Sequence, residues 1–355
     1  MKRALTALII LFLLLPAPVR AYSAASYALF DPLTGCVLAQ ENMDVRRGMA
    51  STTKLMTALV AAERYDMDRT VVIDAKWCGV EGSSIYLRPG EKVTVRELMY
   101  GLLLSSGNDA AAALAGLDGD AEGFVVRMNE RAAELSMTNT HFDNPSGLDG
   151  KSHFSTAYDL CLLAQAVLAV PALREIVGTR TAHIGDRWMT NHNRLLAEKG
   201  VLGLKTGYTM TCGRCLVSAK EQDGRTLIAV TLGAPNDWDD HRTLYASAFD
   251  RMEEKQLVTA GVCGEISVAD AGICRLYING DFAFPLLEEE MDEVRVRLYG
   301  PRICYPDISA GEQWGILRVE LRGTVLYETN VFYESGYAAP QPGFWARLWQ
   351  KIWNG

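Results

Sequence analysis

Three short clusters in this 355-residue chain have the side-chain types and spacing of nucleophilic chemistry: Ser51-Thr52-Thr53-Lys54, Ser106-Gly107-Asn108 and Lys205-Thr206-Gly207. A serine hydroxyl is a poor nucleophile until a base takes its proton, and a lysine amine is such a base only when neutral. Residues three apart share one face of a helix, so a helix beginning at Ser51 brings the Lys54 amine to the Ser51 hydroxyl. Burial and a second cation both depress a lysine pKa, and Lys205, carried alongside on a strand, supplies that cation. Gly207 has no side-chain bulk and lets a peptide pair along the strand edge as an added strand.

The elements that must position these groups are legible around them. Tyr27 to Phe30 and Cys36 to Gln40 flank a turn-rich centre and read as a β-hairpin. From Ser51 onward Leu55, Met56, Leu59 and Val60 recur at helical spacing, with Ser51 and Thr52 in capping position. Thr94 to Glu97 is a capping box before Leu98 to Leu104; Asn108 to Leu117 and Glu122 to Leu135 are also helical, so Ser106 and Asn108 fall between two apolar helices. A further helix, Leu160 to Leu168, starts from Thr156 and Asp159 and stops near Pro171. Leu216 to Ala219 and Thr226 to Leu232 form a hairpin about Asp223-Gly224, and a long amphipathic helix is predicted from His241 to about Lys255. Strands at both ends of this region enclose helices, which predicts one sheet with its first and last segments adjacent, an α+β arrangement with an antiparallel sheet. Short alternation from Val258 to Ala338 predicts a small all-β domain of sandwich type.

The chain's ends concern location. Residues 1–21 combine Lys2 and Arg3, an apolar run from Ala4 to Leu15 and a small-residue cleavage site after Ala21, which reads as an export signal. At the other end Trp345, Trp349 and Trp353 lie with Phe344, Leu348 and Ile352 on one side of a helix, opposite Arg347, Gln350, Lys351 and Asn354. Indole rings at headgroup depth with the charges kept wet are what a helix lying in a membrane surface needs. The expected plan is a signal at 1–21, a catalytic domain at 22–257, an all-β domain at 258–338 and a membrane-surface anchor at 339–355. The expected location is the outer face of the cytoplasmic membrane. A net charge of −8 offers no broad basic surface, so no nucleic-acid partner is expected. Cys212-x-x-Cys215 has neither a second such pair nor a histidine at ligand spacing, and reads as small residues beside a strand turn. No metal or organic cofactor is expected.

The ordered trio of motifs resembles the serine penicillin-recognising enzymes, and the Ser-Gly-Asn form of the second is similar to the low-molecular-mass D-alanyl-D-alanine carboxypeptidases. Asn144-Pro145-x-Gly147-Leu148, Ser155 to Asp159, Asn193 to Leu196 and Gly203 to Thr209 extend the resemblance. It implies a β-lactamase/transpeptidase-like fold with a helical subdomain. The implied reaction is acylation of Ser51 by the penultimate D-Ala carbonyl of a peptidoglycan stem peptide, loss of the terminal D-Ala, then hydrolysis. It implies further that β-lactams acylate Ser51, that Ser106 relays a proton to the leaving amine, and that Asn108 contacts the substrate amide and holds Lys54. The N–H groups of Ser51 and Tyr208 form the oxyanion hole in that arrangement. Lys205, Thr206 and, ahead of the final helix, Arg242 are the candidates to hold the free carboxylate. Several family members carry His where this chain has Tyr208.

Two other functions share these features. A class A-like β-lactamase uses the same Ser and Lys but needs a Glu to clear the acyl-enzyme. The segment from Thr140 to Ser155 offers only Asp143 and Asp149. A cell-wall binding homologue that has lost catalysis would need neither Ser51 nor Lys54, yet all three motifs are intact.

Overall fold

The computed structural model describes residues 22–269, 272–305, 307–338 and Trp353. The export segment and the amphipathic tail, apart from Trp353, lie outside the described residues. The chain divides into two units, Met1–Gln222 with Thr226–Ala248, and Asp223–Arg225 with Phe249–Gly355.

In the first unit, β1 (Ser26–Asp31) and β2 (Cys36–Glu41) pair antiparallel. Asp31 sets their turn by accepting from Leu33 N and Thr34 Oγ1 at 2.9 and 2.6 Å. The chain then enters a 3-10 turn at Ala50–Thr53 and α1 (Lys54–Arg64). Residues 54–61 are all buried, so α1 is a central helix covered on every side rather than an amphipathic surface one. Each large apolar side chain it buries contributes roughly 1.5–3 kcal/mol, which fixes the helix carrying Lys54.

A small hairpin follows, β3 (Thr70–Val72) with β4 (Lys92–Thr94), then α2 (Val95–Leu103) and α3 (Asn108–Gly116). The capping box expected at α2 is formed: Thr94 Oγ1 accepts from Glu97 N, and Glu97 accepts from Thr94 N. Next come α4 (Ala121–Glu134), α5 (Ala157–Ala169), α6 (Pro171–Gly178), the hairpin β5 (Thr181–Ile184) with β6 (Arg187–Thr190), and the strands β7 (Val201–Thr209), β8 (Gly213–Gln222) and β9 (Arg225–Leu232), before α7 (Asp237–Phe249) closes the unit. The main sheet has the order β2-β1-β9-β8-β7, with β1 antiparallel to β9, as expected for a sheet whose sequence ends meet. The strand carrying Lys205 is therefore an edge.

Three expectations need correction. Ser51 lies in the 3-10 turn, not in α1, and neither Ser51 nor Thr52 caps that helix; Thr52 and Thr53 donate instead to Met49 O and Ala50 O. The helix expected to stop near Pro171 does so, α5 ending at Ala169, and Pro171 itself opens α6 because its missing N–H is harmless at the first helical position. The last helix starts at Asp237, where Asp237, Asp239 and Asp240 complement the positive helix end. It ends at Phe249, and β10 (Glu253–Val258) is already a strand of the second unit. The second unit consequently starts at Phe249, ahead of the expected boundary at Val258.

The second unit is all β. Strand β10 pairs with β13 (Phe282–Leu286). A six-stranded sheet has the order β14-β16-β17-β12-β11-β15, from β11 (Gly261–Val268), β12 (Gly272–Ile278), β14 (Val294–Tyr299), β15 (Ile303–Cys304), β16 (Gln313–Leu321) and β17 (Thr324–Tyr333). Leu276, Leu317, Val319 and Val331 form its core. Val296 and Leu298 on the edge strand β14 alternate as a core strand would, but are 49% and 37% exposed. Among the described residues no single helix is long and apolar enough to cross a membrane.

Candidate active site

Lys54 is completely buried at the start of α1, and its Nζ lies 3.0 Å from Ser51 Oγ. Its other partners are Asn108 Oδ1 at 2.7 Å and the carbonyl of Ser146. The Asn108 oxygen is the acceptor side of its amide, because Nδ2 donates to Glu81 O at 2.6 Å. Two of the three partners can therefore only accept. A neutral amine has two hydrogens and one lone pair; with both hydrogens directed to Asn108 and Ser146, the lone pair faces the Ser51 hydroxyl. The environment favours that neutral form. Burial, then the charge of Lys205, hold the Lys54 pKa well below its usual value, with Asp109 opposing.

The Ser146 carbonyl is held by a compact loop. Asn144 Oδ1 accepts from Ser146 N and Gly147 N at 3.1 and 2.8 Å, and Thr57 of α1 donates to Pro145 O at 2.6 Å. Gly147 has φ 87°, and a Cβ on it would stand 2.1 Å from Ala50 O, so only glycine lets this loop close under the nucleophile. His153 Nδ1 accepts from Asp143 N, which leaves Nε2 to donate to Thr53 Oγ1. Burial pulls its pKa down to about 4, so this histidine is a neutral structural group.

Between α2 and α3 the chain turns through Ser106, which has φ 60° and is 4% exposed. Ala50, just before the nucleophile, is also left-handed at 47°. Non-glycine residues persist there only where surroundings over-determine them; Ser106 lines the cleft and Ala50 immediately precedes Ser51, which does. Gly107 N donates to Gly101 O and Asn108 N to Ser83 O. Asp109, fully buried, accepts from Ile85 N and Leu87 N, each at 3.1 Å, and from Ser84 Oγ at 2.6 Å. This carboxylate ties the 81–87 segment to α3 and so presents Ser83 and the Glu81 carbonyl to the site.

Lys205, fully buried on β7, has its pKa lowered to about 7 by burial, and its Nζ donates to Thr206 O at 2.9 Å. A Cβ on Gly207 would stand 3.0 Å from Met49 O and from Ser51 N. The strand edge and the backbone of the nucleophile thus approach as closely as a glycine allows. A cleft of about 600 Å³ opens here, lined by Ser51, Ser106, Thr206, Gly207 and Tyr208. The structure therefore brings together Ser51, Lys54, Ser106, Asn108, Lys205, Thr206, Gly207 and Tyr208.

Arg242 is not brought in. Its guanidinium pairs with Glu198 and Asp239, each at 2.7 Å, and it does not line the cleft. Residue 242 lies on the second turn of α7, which starts four residues before the position read from sequence, so its side chain meets Glu198 instead. The cleft arginines are Arg194 and Arg214. Arg214 is neutralised by Asp237 at 2.7 Å beneath the Trp238 ring, whereas Arg194 has no carboxylate partner among the described residues. Neither arginine, nor Ser146 nor Asp109, stands out by local spacing, because each reaches the site through the tertiary fold. Cys212 and Cys215 are free thiols not joined by a disulfide, in the β7–β8 turn and in β8.

Residues 16–236 match the family of D-alanyl-D-alanine carboxypeptidases. The chain is 36% identical over 330 residues to the D-alanyl-D-alanine carboxypeptidase DacF of Bacillus subtilis, covering 88% of this chain and 85% of that protein. It is 37% identical to DacB2 of Mycobacterium tuberculosis, covering 64% and 82%. Among solved structures, the D-alanyl-D-alanine carboxypeptidase DacD from Francisella tularensis aligns with a TM-score of 0.63 at 26% identity, covering 92% of this chain and 96% of that one. Penicillin binding protein 5 from Haemophilus influenzae aligns at 0.65 and 25% identity, covering 91% and 99%.

Proposed function

The chain belongs to the D-alanyl-D-alanine carboxypeptidase family, and from that premise we propose how its residues divide the work of a serine peptidase that removes terminal D-Ala from peptidoglycan peptides. The observation that carries the reading is the buried Lys54 amine, 3.0 Å from Ser51 Oγ with its other partners limited to acceptors.

The peptide adds along the free edge of β7, its terminal carboxylate toward Lys205, Thr206 and Arg194. Arg194 takes the place expected for Arg242, since it is the cleft arginine without a carboxylate partner among the described residues. Lys54 takes the Ser51 proton as Oγ attacks the penultimate D-Ala carbonyl. The N–H groups of Ser51 and Tyr208 receive the developing oxyanion, which the close approach at Gly207 supports. Asn108 keeps Lys54 aligned and contacts the substrate amide; Ser106 passes the proton to the leaving D-Ala nitrogen. Water then hydrolyses the Ser51 ester.

A β-lactam presents an analogous amide carbonyl whose amine, once the ring C–N bond breaks, stays tethered to the acyl group, so a slowly cleared adduct is expected on Ser51. Neither carboxylate of the 140–155 segment is hydrogen-bonded to Ser51: Asp143 accepts from Ser152 N and Asp149 from Thr209 Oγ1, at the end of β7. Intact mass after exposure to penicillin tests this. Wild type should retain one penicilloyl group and Ser51→Ala none. Rapid clearance would favour the β-lactamase reading, and no adduct together with no D-Ala release would favour an inactive binder.

The location is proposed too: export by residues 1–21 and attachment to the outer face of the cytoplasmic membrane by the tryptophan-rich residues 339–355. A protein truncated before Pro342 should leave the membrane fraction; one that stays bound would refute the anchor.

A further inference from the structure

On the acyl side of Ser51 the β7 edge runs out through Tyr208 and Thr209 into the turn that begins at Met210, and a carboxylate stands there that the mechanism above does not use. Asp149 Oδ1 accepts from Thr209 Oγ1 at 2.9 Å and from Cys212 Sγ at 3.3 Å. The Asp149 side chain belongs to the loop whose Ser146 carbonyl holds Lys54, and Leu148 beside it reaches toward the Gly82–Asn108 contact. It is therefore fixed to both walls of the site. It is exposed, and among the described residues no lysine or arginine pairs with it. The nearby His153 is neutral for the reason given above.

The direction of the substrate decides what meets this carboxylate. With the terminal carboxylate at Lys205 and Thr206 and the scissile carbonyl at Ser51 and Tyr208, the peptide runs antiparallel to β7, its amino-terminal side heading toward Thr209. An extended chain advances about 3.3 Å per residue, so the residue before the two D-alanines lies opposite Thr209 and Met210. Tyr208 and Met210, 65% and 93% exposed, offer apolar surface for an aliphatic stem there. An aliphatic stem ending in a positive charge is what this surface followed by Asp149 complements.

We infer that Asp149 is a specificity-determining residue that recognises the free side-chain amine of a diamino acid preceding D-Ala-D-Ala. The inference rests on the proposed direction of the peptide along β7. It favours substrates whose third residue from the end is still uncrosslinked, since amide formation removes the charge.

Two peptides test it, Nα-acetyl-L-Lys-D-Ala-D-Ala with its side-chain amine free and the same peptide with that amine acetylated, read as the ratio of their kcat/KM values. Wild type should prefer the free amine by about fivefold to twentyfold, the range of a charge-assisted contact partly open to solvent. The ratio should fall to near one in Asp149→Asn and return in Asp149→Glu, which general damage to the loop would not produce. In wild type alone, raising salt from about 0.05 to about 0.5 M should shrink it. A wild-type ratio near one, a ratio unchanged in Asp149→Asn, or one insensitive to salt overturns the inference. If wild type hydrolyses neither peptide and takes up no penicillin, the catalytic reading itself has failed, which is a separate result.

Discussion

Lys54 Nζ and Asn108 Oδ1 stand 2.7 Å apart while the other end of the same amide is tied to Glu81 O. The amide cannot rotate, so Asn108 presents oxygen to Lys54 and draws one amine hydrogen away from Ser51. A carboxylate in its place would also accept, but its charge would favour the ammonium form.

Asn108→Asp should therefore slow acylation of Ser51 by penicillin about a hundredfold at neutral pH, within the range of general-base contributions, and move the acid limb of the rate profile upward. Asn108→Ala should slow acylation without that upward move. Stopped-flow acylation across pH distinguishes them; an acid limb in the Asp variant at the wild-type position would refute the role given to Lys54.

The buried Lys205 makes stability and function oppose each other. Its pKa is about 7 in the fold against 10.5 for the unperturbed group, so between those values the unfolded chain binds more protons. Stability then rises as pH climbs from about 7 toward 10.5, and the penalty is at its fullest below that window. Lys54, lowered by the same cause, adds in the same direction. Lys205→Met should raise stability at pH 7 by roughly 1–3 kcal/mol and flatten this dependence, while D-Ala release collapses. Calorimetry from neutral to alkaline pH checks both; a Met variant less stable at neutral pH would show that the lysine contributes net stability.

What could be read before the structure was whatever depends on neighbours in sequence. The Ser51 to Lys54 spacing, the Thr94 capping box and the Asp223-Gly224 hairpin are local, and each is formed. Boundaries were less legible: the helical pattern after His241 ran on into β10, where pairing with β13 overrides it. The acceptor side of the site was hidden, because Ser146 O and the Asp109 contacts join segments 92 and 24 residues apart. Arg242 reads as a carboxylate contact in sequence because nothing in its own neighbourhood announces Glu198, which it meets in the fold.

The two arginines give a direct comparison. Arg194 is expected to hold the substrate carboxylate and Arg242 to hold only Glu198 and Asp239 on the surface. Arg194→Gln should lower kcat/KM for a D-Ala-D-Ala peptide about tenfold to a hundredfold, mostly through KM, as expected for a charge-assisted contact. Arg242→Gln should leave it within about twofold, since exposed pairs contribute little. The opposite order in steady-state kinetics would restore the original assignment.

Asp109 sits beside Asn108 in sequence but acts through the fold. It is fully buried and gathers the Ile85 and Leu87 N–H groups and the Ser84 hydroxyl onto its two oxygens. Asparagine is nearly isosteric, yet one of its two polar ends carries hydrogens that would face donors. Asp109→Asn should consequently cost about 2–4 kcal/mol, the range for stranding buried polar groups around a removed charge. Loosening the 81–87 segment also releases the Glu81 carbonyl from the Asn108 amide, so Lys54 loses its fixed acceptor and kcat falls with stability. Asp109→Glu, which keeps the charge but overfills the space, should not restore either quantity. Melting temperature and D-Ala release measured on the same preparations check the coupling, and an Asn variant with wild-type kcat despite a lowered melting temperature would confine Asp109 to folding alone.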